Sequence, residues 1–264
     1  MDEPNTRWRL TPREPFGLTV SSEGETAALA DIPVETLRGW VLQYRLVVLR
    51  GFAPPTGEAL PEFGKTLGPI QEWEFGAVNN LEARPDAKNY LYTNRAVPFH
   101  WDGAFAGRIP GVIVFHCEQA PDPASGGETL FCDTVALLRE TEPEESARWQ
   151  GIEITYSTDK LAHYGGSFTS PFLGLHPQTG ETVVRFAEPV HDLNPVHLEI
   201  QGIPLSEHET FLRDMHNRLR APHLCVSHVW QEDDIVLADN HALLHGRNAF
   251  KAASARRLRR VNVF

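Results

Sequence analysis

Cysteine is scarce in this sequence. Only Cys117, Cys132 and Cys225 occur among 264 residues, and no two form a CxxC pair, so neither a disulfide framework nor a thiolate zinc site is indicated. Basic side chains are outnumbered as well: Lys and Arg total 24 against 35 Asp and Glu, a net charge of −11. Charge of that sign repels nucleic-acid phosphates and anionic lipid. No apolar run reaches the length of a membrane span. Met1–Leu10 lacks the basic-then-apolar pattern of a secretory signal. Internal repeats and low-complexity tracts are missing too. Together these absences exclude nucleic acid and membrane as expected partners and lead to the expectation of a cytoplasmic protein acting on a small molecule.

What is present is typical of a folded chain, with 41% hydrophobic and 22% charged residues. The length fits one domain with a substantial core, expected over about 45–264, with a helix-and-strand extension over 1–44. Gly 20 and Pro 20 are spread along the chain and cut it into short elements. Helical spacing is read at Val34–Leu42, Gly57–Leu67, Leu137–Gln150 and Leu205–Leu219, the last with Ser206 as its cap. Strands are read at Arg45–Phe52, Tyr90–Thr93, Val112–Cys117, Ile152–Tyr156, Cys225–Trp230, Asp234–Asp239 and Arg257–Phe264. Leu173–Phe186 reads as a hairpin turning at Gln178-Thr179-Gly180. Short strands flanked by a few helices predict a mainly β, jelly-roll type of fold rather than a parallel α/β sheet.

Pro98-Phe99-His100-Trp101-Asp102-Gly103 carries the most chemistry. On a strand, His100 and Asp102 share one face and offer a nitrogen and a carboxylate oxygen to a metal. The same dipeptide also fits a His–Asp hydrogen bond in a core. A third ligand has to come from elsewhere, and His245 follows an apolar run and precedes Gly246. Two His and one carboxylate form the facial triad of non-haem Fe(II), which leaves open positions. Further on, Arg256, Leu258 and Arg260 share one strand face, and Arg257 and Arg259 the other; one face can be solvated while the other sends guanidinium groups inward. Arg is the side chain suited to clamp a carboxylate. His241 and His245 form an HxxxH pair, but Ala242 stands where a hydrolase needs Glu. The remaining His are read as structural or solvated, and Cys117 and Cys132 as buried and inert.

These residues, with Thr129 in Ser125-Gly126-Gly127-Glu128-Thr129 and the His176-Pro177-Gln178-Thr179-Gly180 hairpin, occur in an order and spacing that resembles the taurine dioxygenase (TauD/TfdA) family of Fe(II)/2-oxoglutarate-dependent oxygenases. The resemblance runs from about Arg45 to the C-terminus. It implies a double-stranded β-helix, the cupin-like jelly roll, with iron inside its mouth. It implies His100, Asp102 and His245 as catalytic iron ligands, and Thr129 and Arg256 as binders of the cosubstrate 2-oxoglutarate. Arg260 matches a second family Arg, near the cosubstrate or a substrate anion. Asp233 stands where the family usually has Gly, and Ala238 where it often has Trp. Phe99–Phe105, Phe115-His116-Cys117 and Thr129–Thr134 are most similar to the amino-acid isonitrile oxygenases, the tyrosine isonitrile desaturases among them.

The resemblance implies hydroxylation or desaturation of an unactivated C–H by O2 and 2-oxoglutarate, in secondary metabolism. The substrate is expected to be a small, carboxylate-bearing amino-acid derivative, and decarboxylative formation of a vinyl isonitrile is one outcome. The Asp102 carboxylate leaves no position for chloride, which disfavours halogenation. Expected pocket residues are Trp73, Phe75, Asn94, Phe105, Tyr164 and Phe168, with Arg260 as anion anchor. Three other readings stand beside this one: a taurine- or alkanesulfonate-type catabolic dioxygenase, a metal-dependent isomerase or hydrolase on the same barrel, and a non-catalytic binding protein. Thr129 and Arg256 discriminate against the hydrolase, which needs no dicarboxylate clamp. Homo-oligomerisation is left open.

Overall fold

Two facing sheets organise the chain, and the candidate ligands lie between them. The computed structural model describes residues 8–22, 27–159 and 166–264. In chain order the strands are β1 (Trp8–Pro12), β2 (Leu18–Ser22), β3 (Leu46–Arg50), β4 (Asn79–Glu82), β5 (Val97–His100), β6 (Val112–Gln119), β7 (Thr129–Asp133) and β8 (Glu153–Thr158). They continue as β9 (Ser167–Pro171), β10 (Leu173–Leu175), β11 (Thr182–Val184), β12 (Val196–Gln201), β13 (Cys225–His228), β14 (Ile235–Asp239), β15 (Leu243–Arg247) and β16 (Arg257–Val263). The helices are α1 (Val34–Tyr44), α2 (Ala59–Leu67), α3 (Thr134–Glu140), α4 (Pro143–Trp149) and α5 (His208–Arg218). The larger sheet runs β1-β2-β3-β14-β6-β16-β4, and the smaller one facing it runs β13-β7-β15-β5. A further sheet, β12-β8-β9, and the hairpin β10-β11 complete the described strands. Ladders are antiparallel except between β2 and β3. This is the expected jelly-roll barrel.

Alternation along the strands explains why the central runs are apolar throughout. On β3, Leu46 and Val48 point between the sheets, where they join Phe115, Phe131, Val236 and Leu258. Val47 and Leu49 point outward and join Leu37, Val41, Leu60 and Phe63 beneath α1 and α2. A strand covered on both faces has no polar side to show. β15 follows the same rule: Leu243 faces the inter-sheet core and Leu244 the opposite cluster around Trp149, Phe172 and α5. Odd-numbered residues of β15 therefore point inward, and His245 is one of them.

Most predicted elements stand close to their expected bounds, with instructive exceptions. Tyr90–Tyr92 is a 3-10 turn, not a strand. The Asn89 side chain accepts from Leu91 N, and Thr93 Oγ1 donates to the Tyr90 carbonyl, so local bonds replace a ladder. Leu137–Gln150 is split into α3 and α4, because Pro143 disfavours helical geometry at Glu142. Ser206 is not the cap of α5; a 3-10 turn over Leu205–Glu207 leads into it instead. Like Arg260 on the opposite face of β16, Arg259 is buried. Its face of β16 lies under the segment before α2, and its guanidinium donates to the carbonyls of Pro55 and Gly57. No helix among the described residues is long and apolar enough to cross a membrane.

Candidate active site

β5 and β15 are hydrogen-bonded neighbours, and their register sets His100 directly opposite His245. Gly246 makes this approach possible: a Cβ there would lie 2.8 Å from the Val97 carbonyl oxygen. The two imidazoles are 4.2 Å apart between centroids. Asp102 completes the group from the turn after β5, not from the strand as expected. Its Oδ1 lies 3.7 Å from His100 Nε2 and 3.8 Å from His245 Nε2. One ligand atom from each residue falls within 4.8 Å of the others, and His100, Asp102 and His245 form such a group among the described residues.

The surroundings set the protonation these atoms need. His100 Nδ1 donates to the Pro98 carbonyl at 2.9 Å, which leaves the Nε2 lone pair turned to the group. Burial pushes the His100 pKa below its ordinary value and the His245 pKa well below it, so both rings stay neutral. Burial alone would raise Asp102. The adjacent Arg260 guanidinium opposes that, and the carboxyl is held below the usual range. Arg260 Nη1 lies 3.0 Å from Asp102 Oδ1 and 2.8 Å from Oδ2. Two neutral imidazoles and an ionised carboxylate on one side of a shared centre suit a divalent cation of the Fe(II) type.

Two cavities meet at His100. The smaller, about 40 Å³, is lined by Thr129, His245, Arg247 and Arg256 among others. Arg256 donates to the Gly127 carbonyl at 2.8 Å and to Thr129 Oγ1 at 3.1 Å. The glycine pair makes room for it. A Cβ on Gly126 would sit 2.2 Å from the Ala249 carbonyl oxygen, one on Gly127 3.2 Å from Arg256 Cδ, and both residues have positive φ. Thr129 Oγ1 also accepts from Trp230 Nε1 at 3.0 Å, so its own hydroxyl hydrogen remains to donate. Arg256 has no carboxylate partner among the described residues, and burial next to Arg247 pulls its pKa down to about 9. A charge held that far from water favours an incoming anion.

The larger cavity, about 520 Å³, opens on the other side of His100 and Asp102. Trp73, Phe75, Phe105 and Arg260 line it as expected. Trp73 and Phe75 stack at 6.1 Å near its rim, and Phe75 is half exposed. Asn94 is not there; its amide donates to the Phe250 carbonyl and closes a loop. Phe168 packs against the outer cluster instead. Tyr164 lies outside the described residues. Residues that the sequence reading missed also line this cavity, including Asn79, Trp101, Tyr156, Glu188 and Asn262. Trp101 Nε1 is buried there with no hydrogen-bond partner among the described residues. Alternation from Leu258 and Arg260 points to Asn262, and alternation from His245 points to Arg247. Nothing comparable marks Glu188, whose carboxylate accepts from Phe99 N while its own N–H donates to the Phe99 carbonyl, pinning the outer edge of β5.

His241 takes no part in the site. Its ring is 2.8 Å from Arg185, and Asp239 caps the backbone beside it. Cys117 and Cys132 are buried as expected, the first with its thiol pKa pushed up to about 12. Asp233, in the place of the usual glycine, has φ of 65°, a region Asp tolerates better than most residues.

Known proteins resemble this chain along nearly its full length. A 3-((Z)-2-isocyanoethenyl)-1H-indole synthase of Fischerella ambigua is 41% identical, over 99% of this chain and 97% of that protein. A tyrosine isonitrile desaturase of Pseudomonas aeruginosa is 33% identical, over 94% of this chain and 87% of its own length. The solved structure of PvcB, described as an Fe, alpha-ketoglutarate dependent oxygenase from an isonitrile synthetic pathway, superposes with a TM-score of 0.83 at 30% identity, covering 100% of this chain and 94% of that one. The family described as taurine catabolism dioxygenase TauD, TfdA matches residues 10–262. With a jelly roll around a His-Asp-His group and an Arg-lined cavity beside it, the chain belongs to the TauD/TfdA family.

Proposed function

We propose that this protein is an Fe(II)- and 2-oxoglutarate-dependent oxygenase that desaturates the isonitrile derivative of an aromatic amino acid, with the tryptophan-derived compound as first candidate. The observation that carries the reading is Arg256: a buried guanidinium without an acid partner, in a small cavity that His100 and His245 also line. A hydrolase or isomerase on this barrel has no use for it. A 2-oxoglutarate molecule would, because Arg256 and Thr129 would hold its far carboxylate beside the metal group. His100, Asp102 and His245 are assigned as the ligands of the ferrous ion. When bound, iron and 2-oxoglutarate together supply the oxidising power for C–H cleavage by O2, with succinate and CO2 as coproducts.

The chain's own part is to hold the substrate and keep water out. Arg260 sits between Asp102 and the large cavity, where it can take the substrate carboxylate while steadying the Asp102 carboxylate. Aromatic walls from Trp73, Phe75, Tyr90 and Phe105 suit an aryl side chain. This lining is poorly matched to a small aliphatic sulfonate such as taurine. The names of the two similar proteins above support an isonitrile substrate. Retention of the carboxylate gives an α,β-unsaturated acid, and its loss as CO2 gives a vinyl isonitrile.

The test is incubation with Fe(II), 2-oxoglutarate, O2 and the isonitriles of tryptophan and tyrosine in parallel with taurine. Succinate formed in step with an alkene from an aryl isonitrile is the expected result. Succinate formed with taurine alone would overturn the substrate assignment.

A further inference from the structure

Asp102 is the one member of the metal group that no strand carries. β5 ends at His100, β15 contains His245, and the ladder fixes those two against each other. Asp102 stands two residues past the end of β5, in a turn. Resting on the reading that this group binds a divalent metal, we infer that Asn240 is the positioning residue that holds Asp102 in place.

Asn240 is buried to 1% exposure. Its side-chain oxygen accepts from Asp102 N at 2.9 Å. Its amide nitrogen donates to the Asp102 carbonyl at 2.9 Å and to the Pro110 carbonyl at 2.8 Å. One short planar group thus satisfies both backbone polar atoms of Asp102. Asp could not donate, and Gln is a methylene longer.

The clamp is itself held rigidly. Asn240 N donates to the Gly111 carbonyl at 3.0 Å. Asp239 accepts from His241 N at 2.9 Å, Ala242 N at 3.1 Å and His176 Nε2 at 2.9 Å. The loop over 239–242 leads directly into β15. Asn240 therefore ties Asp102 to the same strand that presents His245, and the spacing of all three ligands depends on it. Groups that orient a ligand from outside typically govern metal affinity by about 10–100-fold.

Thr134 provides the control. It is fully buried, donates to the Ala242 carbonyl at 2.8 Å and accepts from Val184 N at 3.2 Å, so it braces the same loop without touching Asp102. The experiment is titration of the metal-free full chain with Mn(II) by equilibrium dialysis, with the melting temperature recorded for each variant. Asn240→Ala and Asn240→Ser are expected to weaken Mn(II) binding about 10–100-fold, while Thr134→Val loses stability and keeps wild-type affinity. Wild-type affinity in the Asn240 variants, or an equal loss in Thr134→Val, overturns the clamp. Failure of the wild-type chain to bind Mn(II) overturns the metal reading beneath it. Should neither Asn240 variant fold, amide exchange in the wild-type chain decides: slow exchange at Asp102 N is expected without metal, and exchange as fast as in an open loop refutes the clamp.

Discussion

The two cavities that meet at His100 are made of different material. The small one is walled mainly by strands and their immediate ends: Phe115 from β6, Thr129 from β7, His245 and Arg247 from β15, and Arg256 just before β16. Much of the large one comes from turns: Trp73 and Phe75, the 3-10 turn at Tyr90–Tyr92, and the stretch from Trp101 to Ala106. Strands fix side chains through a ladder, whereas turns change with little consequence for the barrel. The contrast fits the proposed placing of 2-oxoglutarate in the small cavity and of the metal where the two meet, since His100 lines both, His245 the small one and Asp102 the large one. It leaves the choice of substrate to the large one.

Changes on the strand-built side should therefore affect every substrate alike. The largest expected effect is that of His245→Ala, which removes a ligand and should abolish both Mn(II) binding by dialysis and succinate release. Retained turnover would remove His245 from the ligand set. Next is Arg256→Ala. Truncating one member of a buried charge pair costs roughly 2–5 kcal/mol, so the KM for 2-oxoglutarate should rise about a hundredfold while Mn(II) affinity holds. Parallel loss of both would contradict the division of labour.

On the loop-built side the expected effect is smaller and selective. Phe105→Ala removes one aromatic wall, worth about 1 kcal/mol or somewhat more. The KM for the aryl isonitrile should rise several-fold, with the KM for 2-oxoglutarate unchanged. A shift in both would show that the cavities are not independent.

A last prediction concerns stability. Burial, aided by the Arg185 charge, lowers the His241 pKa to about 4, against about 6.5 in an unfolded chain. Between those values the unfolded state binds a proton that the folded state does not, so stability rises with pH across the interval. His241 contributes fully above about 6.5, and the contribution is lost as pH falls through about 4. His241→Asn should flatten part of that slope in urea titrations of the metal-free chain. An unchanged slope would show that His241 is not among the groups responsible.

The same contrast governs what could be read from the sequence. His100, His245, Thr129, Arg256 and Arg260 were legible because their chemistry coincides with strand periodicity or with spacing shared across a family. Arg247 and Asn262 follow from that periodicity once one neighbour is known. Asn240 and Glu188 left no trace, because each acts on backbone atoms far away in the chain, 138 residues in one case and 89 in the other. Tyr90–Thr93 was misread because an aromatic run looks the same whether a ladder or local side-chain bonds organise it. The burial of Arg259 was not legible because strand alternation tells which face a residue is on, not what covers that face. The large cavity's lining was read in part: Trp73, Phe75 and Phe105 are in place, while Asn94 closes a loop by a hydrogen bond and Phe168 packs elsewhere.

The most direct test of the account is anaerobic absorption spectroscopy of the full chain with Fe(II) and 2-oxoglutarate. A weak visible charge-transfer band should appear only when both are present, and Arg256→Ala should need far more 2-oxoglutarate to produce it. A wild-type chain that binds Fe(II) but develops no band at saturating 2-oxoglutarate would contradict the account.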